Sequence, residues 1–375
     1  MYSAAMPAPT PTPLPTPLSA RPPASQPRAS RLRGWIQPAV FDFWARHLSP
    51  TLSLQRPLAR VVSIAPASAR AVTLLLKPNR HWQGALPGQH VNLGVEVDGV
   101  RMTRSYSLSA PRRADGCIEI TVNAVEGGTV SQHVVREARL GDVVEIGPAF
   151  GELTLPDRPA DPWLLLAAGS GITPLMALIR QQAALGMPTP MTLGYWARRV
   201  DELCFADELR ELAARFPQFR VDFLLTAQGV RPDARINADQ LQALAPQIAR
   251  CRVYACGSGG FVEAARALCG DALGFKAEGF SPAPILHAET GYARVTLLRS
   301  GRTLDVPRDR PLLQALEEQG LKPAYGCRMG ICHTCRCVRA SGASRDLHSG
   351  SVDAEPNAPL RLCISAAAGD LSLDL

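Results

Sequence analysis

The sequence lacks several features that would decide its class at once. It has no secretory core, because the first thirty residues alternate Pro with Ala, Thr and Ser and hold no apolar run. That stretch reads as a disordered or polyproline-like leader. Its arginines, Arg21, Arg28, Arg31 and Arg33, are either solvated or touch an acidic partner or lipid headgroups. No uncharged run survives as a membrane span: Trp163 to Ile179 carries no charge, but Gly169, Ser170, Gly171 and Pro174 break it in the middle. The formal charge of +7 comes almost wholly from arginine and is spread along the chain, so nucleic-acid binding is not demanded. Cys117, Cys204, Cys251, Cys256 and Cys269 show no paired spacing, which argues for reduced thiols and a cytoplasmic home. No hydrolytic triad, paired-carboxylate site or nuclease constellation is visible.

What is present is concentrated in the tail. Cys327, Cys332, Cys335 and Cys363 read as C-x4-C-x2-C with a distant fourth cysteine, the plant-type [2Fe–2S] ferredoxin spacing. Two irons bridged by two sulfides need four thiolates, and Gly326 and Gly330 let the loop backbone wrap close to inorganic sulfur. The competing reading is a zinc knuckle with Cys337 as an added ligand, but the x4 gap fits zinc spacing poorly. Cys337 alternates with Arg336 and Val338 as a strand residue would.

At 375 residues the chain is long enough for two to three domains. A leader with a short helix between Trp35 and Leu54 occupies 1–55. From 56 to 155, alternating runs at Val61–Ile64, Ala71–Leu76, Val91–Val97, Cys117–Val122 and Val143–Ile146 predict a small antiparallel β-barrel. Within it, Arg104-Ser105-Tyr106-Ser107 offers a cation for phosphate, a ring to stack on a flat heterocycle and a hydroxyl for a ring nitrogen. Gly127-Gly128-Thr129-Val130-Ser131 is a glycine-rich turn before a short helix, an anion cradle.

Residues 156–282 predict an α/β domain with a parallel sheet. The strand Trp163–Ala168, the turn Gly169-Ser170-Gly171-Ile172-Thr173-Pro174 and the helix that follows form a nucleotide-phosphate site, with Pro174 at the first helical position. A second strand, Met191–Trp196, ends in Arg198-Arg199, where an NAD-specific fold usually presents a carboxylate. Two arginines suit a 2′-phosphate and favour NADPH over NADH, unless both merely face solvent. A third strand runs into Cys256-Gly257-Ser258-Gly259, and Cys256 either contacts a nicotinamide ring or packs in the core. After a linker at 283–292, residues 293–375 predict an α+β ferredoxin domain with a hairpin (Val295–Leu298, Thr303–Val306) and a helix (Pro311–Gln319) ahead of the cysteine loop.

R-S-Y-S, G-G-T-V-S, G-S-G-I-T-P and C-G-S in this order resemble the ferredoxin–NADP reductase superfamily, and the tail resembles a fused plant-type, β-grasp ferredoxin; the likeness covers roughly residues 56–375. The resemblance implies FAD. It places Arg104 on the flavin phosphate, Tyr106 along the flavin, Ser107 near its reactive nitrogen, and Gly128, Thr129 and Ser131 on the pyrophosphate. It also implies that Gly169, Gly171, Thr173 and Pro174 form the nicotinamide-nucleotide turn, that Arg198 faces the adenosine phosphate, and that Cys256-Gly257 meet the nicotinamide. Glu278-Gly279-Phe280 resembles the family's E-x-F, whose acidic residue helps position that ring. The chain departs from plant-type reductases in lacking a terminal aromatic over the flavin, continuing instead through Ser281-Pro282-Ala283-Pro284.

The leader residues Phe41-Asp42-Phe43-Trp44, Leu48-Ser49-Pro50 and Arg56 to Val61, with Cys332-His333-Thr334-Cys335-Arg336-Cys337, most resemble the electron-transfer partners of fatty acyl desaturases. This implies a path from NADPH to FAD to the cluster and on to a terminal diiron enzyme, with peripheral contact to a membrane-bound client. A ring-hydroxylating oxygenase, an aromatic-CoA epoxidase or a steroid hydroxylase is the alternative client. A subunit that binds flavin and cluster without oxidising NADPH is the alternative class.

Overall fold

A computed structural model describes residues 37–45, 47–156, 159–227, 235–280 and 289–375. The Pro-rich leader with its four arginines and the segment Ser281-Pro282-Ala283-Pro284 lie outside them. A short helix, α1 (Pro38–Ala45), precedes the barrel. Asp42 on this helix accepts hydrogen bonds from the Ser53 hydroxyl (2.9 Å) and the Leu54 N–H (3.0 Å), tying it to the chain that enters the first strand.

Six strands follow: β1 (Leu58–Ser68), β2 (Ala71–Pro78), β3 (His90–Val97), β4 (Val100–Ser107), β5 (Ile118–Asn123) and β6 (Val143–Ile146). They pair antiparallel in the order β4-β3-β6-β1-β2-β5, and a Leu108–Ile120 bridge brings the two edges together, so the sheet curls into a barrel. The alternating apolar residues of the sequence, among them Val61, Leu74, Leu76, Val91, Leu93 and Ile120, fill its interior. The R-S-Y-S motif ends β4, in line with its plain reading as a strand. Helix α2 (Thr129–Glu137) caps the barrel, with Val130 and Val134 packed inward.

The second sheet is wholly parallel. Strand β7 (Trp163–Ala168) leads through a 3₁₀ turn at Gly169–Gly171 into α3 (Ile172–Ala184). Then come β8 (Met191–Ala197), α4 (Ala206–Arg215), β9 (Phe219–Leu225), α5 (Ala238–Leu244), β10 (Arg252–Gly257), α6 (Gly259–Leu268) and β11 (Gly274–Gly279), with strand order β11-β10-β7-β8-β9. The middle strands are apolar on both sides because helices cover both faces; Leu165 and Leu193 belong to one core and Leu164 and Val253 to the other. Pro174 differs from expectation: it is the third residue of α3, still within the first turn, where a missing N–H costs nothing. Arg180 on α3 locks this domain to the barrel, bonding Glu119 (2.5 Å), the Ser109 carbonyl (2.8 Å) and Glu208 (2.6 Å).

The third unit contains β12 (Tyr292–Leu297), β13 (Arg302–Pro307), α7 (Leu312–Glu318), β14 (Arg336–Asp346), β15 (Val352–Asp353), β16 (Ala358–Arg361) and β17 (Ser365–Leu373). The sheet is mixed, with β12 parallel to β17 and the remaining pairs antiparallel. Helix α7 packs Leu312, Leu313 and Leu316 onto it, and Cys337 sits in this core. Arg339 is 1% exposed; its two terminal nitrogens bond Ser344 (2.5 Å), the Glu355 carbonyl (2.7 Å) and Asp353 (2.9 Å), while its Nε has no partner among the described residues.

Candidate electron-transfer site

The ends of β4, β10 and β11 meet at one corner. Ser107, Cys256 and Glu278, far apart in sequence, come together there through one further residue, His90. Ser107 lies directly across the ladder from His90, Cys256 across from Glu278, and His90 Nε2 is 3.1 Å from Glu278 Oε2. The contact is short but misaligned, so both ring nitrogens of His90 and that carboxylate oxygen lack a hydrogen-bond partner among the described residues. His90 is 2% and Glu278 8% exposed. The imidazole stacks on Phe150 at 5.7 Å and meets the edge of Phe280 at 5.9 Å, so the E-x-F aromatic walls the same pocket. Gly151 leaves room for the pair: a Cβ there would stand 3.2 Å from His90 Nδ1 and 3.4 Å from Glu278 Oε1.

Burial in apolar surroundings disfavours charge on every group at this corner. It lowers His90 from 6.5 to about 4, against a small opposing effect of Cys327, and raises Glu278 from 4.5 to about 8. Cys256 is fully buried, and that burial pushes its thiol well above the ordinary range. Tyr106 is raised to about 12, again chiefly by burial. At neutral pH the corner is an uncharged, buried polar cluster whose His90 nitrogens and Glu278 oxygen find no hydrogen-bond partner among the described residues. His90 escaped sequence reading because one histidine in an apolar strand carries no spacing signal.

The glycine turns divide their work. Gly169 takes φ +55 and is open on its outer side, whereas a Cβ on Gly171 would lie 1.9 Å from the Cys256 carbonyl oxygen, so that position is glycine for close strand packing. Thr173 donates to the Ser170 carbonyl (3.0 Å) and Pro174 is buried. Gly257 packs on Ala168 and Phe261. At the head of α2, Ser131 accepts from the Val125 N–H (3.1 Å) and donates to the Gly128 carbonyl (3.2 Å), so its hydroxyl shapes the loop. Thr129 is exposed there, and Gly128 has no room for a Cβ, which would approach Ser131 Oγ to 2.6 Å. Arg198 and Arg199 are both exposed beyond β8. Arg199 is held by Asp201 (2.6 Å), while no hydrogen bond or ion pair engages the Arg198 side chain among the described residues.

The four tail cysteines converge. Cys327 lies against Cys332 and Cys363, and Cys363 lies against Cys335, so all four sulfurs stand where the ligands of one cluster would. Backbone N–H groups point at these sulfurs: Cys327 to Cys332 Sγ (3.2 Å), and Met329 and Cys332 to Cys327 Sγ (3.3 and 3.4 Å). The neighbouring Cys332 and Cys363, aided by the Met329 and Cys332 N–H groups, hold Cys327 below the usual thiol range. Such donors suit thiolate sulfur and fit a cluster. Among the described residues no group of three or more His, Cys, Asp or Glu has the compact arrangement of a single-ion site.

A flavin barrel, a parallel nucleotide sheet and a [2Fe–2S] ferredoxin fold in one chain define a reductase that carries electrons from a nicotinamide to an iron–sulfur cluster. Residues 58–154 match the oxidoreductase FAD-binding domain family, 165–267 the oxidoreductase NAD-binding domain family and 295–368 the 2Fe–2S iron–sulfur cluster binding domain family. The chain is 31% identical, over 90% of its own length and 89% of the relative's, to the NADPH oxidoreductase of Mycobacterium tuberculosis. It is 32% identical to the ferredoxin reductase component of 3-ketosteroid-9-alpha-monooxygenase of Mycolicibacterium smegmatis, over 68% of this chain and 76% of that one. Phthalate dioxygenase reductase superposes with a TM-score of 0.60 at 24% identity, covering 85% of this chain and 97% of that structure, and so shares the fold. The chain belongs to the family of FAD- and [2Fe–2S]-containing NAD(P)H oxidoreductases.

Proposed function

We propose that the protein takes hydride from NADPH and delivers single electrons to a terminal diiron enzyme, a fatty acyl desaturase. The observation that carries the electron path is the meeting of Ser107, Cys256 and Glu278 at one buried corner, through His90, which lies near Cys327 of the cysteine loop. Bound flavin supplies the conversion of one hydride into two single electrons, and the bound cluster accepts them one at a time. In this reading Arg104 holds the flavin phosphate, Ser105 and Tyr106 line the ring, and Ser107 faces its reactive nitrogen. Gly128, Thr129, Val130 and Ser131 form the pyrophosphate loop, in which Val130 anchors by packing and Ser131 by its internal hydrogen bonds. Gly169, Gly171, Thr173 and Pro174 carry the nicotinamide dinucleotide, Cys256 and Gly257 back the nicotinamide, and Glu278 with His90 closes the pocket against water. Cys327, Cys332, Cys335 and Cys363 ligate the cluster.

The preference for NADPH is supported by the Arg198 side chain, exposed and without a partner among the described residues, with Arg199 beside it, and by the name of the M. tuberculosis relative. A reducing compartment such as the cytoplasm is supported by ten cysteines without a disulfide. The membrane-bound client is supported by α1 and its following turn, where Val40, Phe43, Trp44 and Leu48 are exposed while Asp42 pins the opposite side. No helix among the described residues is long and apolar enough to cross a membrane. The second reading, an oxygenase client, is favoured by the 3-ketosteroid monooxygenase relative.

An anaerobic titration with NADPH and then NADH, followed by electron paramagnetic resonance, tests the path. Bleaching of flavin and cluster with a rhombic signal from the reduced cluster is the expected result. A colourless zinc protein, or flavin that neither nucleotide reduces, would sink it. Turnover with purified desaturase or oxygenase components then decides the client.

A further inference from the structure

The cysteine loop and the flavin strands meet through side chains that neither motif explains. Asn92 sits in β3 directly across from Ser105, and its Oδ1 accepts the Ser105 hydroxyl at 2.6 Å. Its Nδ2 donates to Thr334 Oγ1 at 3.2 Å, and Thr334 lies between Cys332 and Cys335. One amide therefore joins the R-S-Y-S strand to the cluster loop. Both sides of that amide are shaped by glycine. A Cβ on Gly326 would stand 2.9 Å from each terminal atom of Asn92, and one on Gly147 would stand 3.2 Å from its Cβ. Tyr325, next to Gly326, stands close enough to Arg104, the neighbour of Ser105, for that guanidinium to act on its phenol, after Arg328. Its ring is steadied by Arg328 at 3.9 Å, which Glu317 holds at 2.6 Å.

We propose that Asn92 is a positioning residue for transfer between flavin and cluster, docking the cysteine loop on the flavin strands through Ser105 and Thr334, with the Arg104–Tyr325 contact as its companion. The inference rests on the flavin-and-cluster reading above. The step it serves moves one electron from the flavin to the cluster, reducing one ferric ion to ferrous, with no bond made or broken; two such steps follow each nicotinamide oxidised. Holding the two centres in one geometry raises their effective concentration and removes the search for a productive arrangement. The amide is suited to this because it presents an acceptor to one domain and a donor to the other, while a carboxylate in its place would put charge beside the thiolates.

The test cuts the bridge from both ends. Asn92→Ala and Thr334→Val are mixed anaerobically with NADPH, and flavin bleaching and cluster bleaching are followed separately, alongside hydrogen exchange of residues 325–335. The expected result is flavin reduction at the wild-type rate, cluster reduction slower by up to about tenfold, the factor one intramolecular hydrogen bond supplies, and faster exchange in the loop. Thr334→Ser, which keeps the hydroxyl, restores both readouts. Cluster reduction at the wild-type rate in both variants overturns the proposal, as does a parallel slowing of flavin reduction, which marks a merely structural role. Should Asn92→Ala lose a chromophore, the Thr334 pair decides alone. Wild-type protein in which NADPH bleaches neither chromophore overturns the underlying reading and the inference with it.

Discussion

Glu278 and His90 make the stability of this protein depend on pH in a way that one substitution isolates. An ordinary glutamate loses its proton near 4.5, but burial holds Glu278 protonated up to about 8. Between those values the folded chain binds one more proton there than the unfolded chain, so this group's contribution to stability falls as pH rises. His90 works the other way: unfolded it is charged below 6.5, folded it stays neutral down to about 4, and its contribution rises across that window. Where the windows overlap, from 4.5 to 6.5, the unfolded chain carries the proton on His90 and the folded chain on Glu278, so the two slopes cancel. Above 6.5 only Glu278 acts. The remaining interval to pH 8 spans one and a half pH units, and at about 1.4 kcal/mol per unit it costs about 2 kcal/mol. Glu278→Gln keeps the shape and removes the titration. Urea unfolding monitored by flavin fluorescence from pH 4 to 9 is the assay. The wild type is expected to show a plateau and then the fall; the variant is expected to rise by about 3 kcal/mol from pH 4 to 6.5 and stay level above. Parallel profiles for the two proteins would refute the burial argument, since they would mean that Glu278 ionises as an exposed carboxylate does.

Three further substitutions test other parts of the structure. Gly171→Ala forces a methyl group into the Cys256 carbonyl, so a loss of about 3 kcal/mol in the nucleotide domain and a raised KM for NADPH are expected from unfolding and steady-state kinetics. Arg339→Ala leaves the buried Ser344 hydroxyl and the Glu355 carbonyl without their partner; a fall of about 1–3 kcal/mol in ferredoxin-domain stability, seen as cluster loss at lower urea, is expected, and no change counts against the network. Arg198→Ala should raise KM for NADPH by roughly tenfold to a hundredfold, the span of a charged hydrogen bond, while leaving KM for NADH unchanged, and equal effects on both nucleotides would remove Arg198 from the 2′-phosphate site.

Much of this molecule is written locally. The C-x4-C-x2-C spacing is a property of one loop, and the uncharged run broken at Gly169 and Pro174 states strand, turn and helix in order, because period and punctuation act over a few residues. Strand β7 accordingly lies where the apolar run places it, and Cys337 falls on a strand in the ferredoxin core. The R-S-Y-S residues read both as an ordinary strand and as cofactor chemistry, and the fold places them at the end of β4. Other facts arose only from the chain folding back on itself. Gly171 looked like a phosphate-approach glycine, and the fold shows a second cause in the Cys256 carbonyl pressed against it. His90 and Asn92 carry no spacing signal at all; what they do depends on Glu278, Ser105 and Thr334, which stand 188, 13 and 242 positions away. The sequence by itself determined the three cofactor modules and their order, because each module's binding chemistry is encoded in short contiguous motifs. The tertiary structure alone decided which charges are extinguished by burial and where one module touches the next, because both depend on surfaces assembled from distant segments.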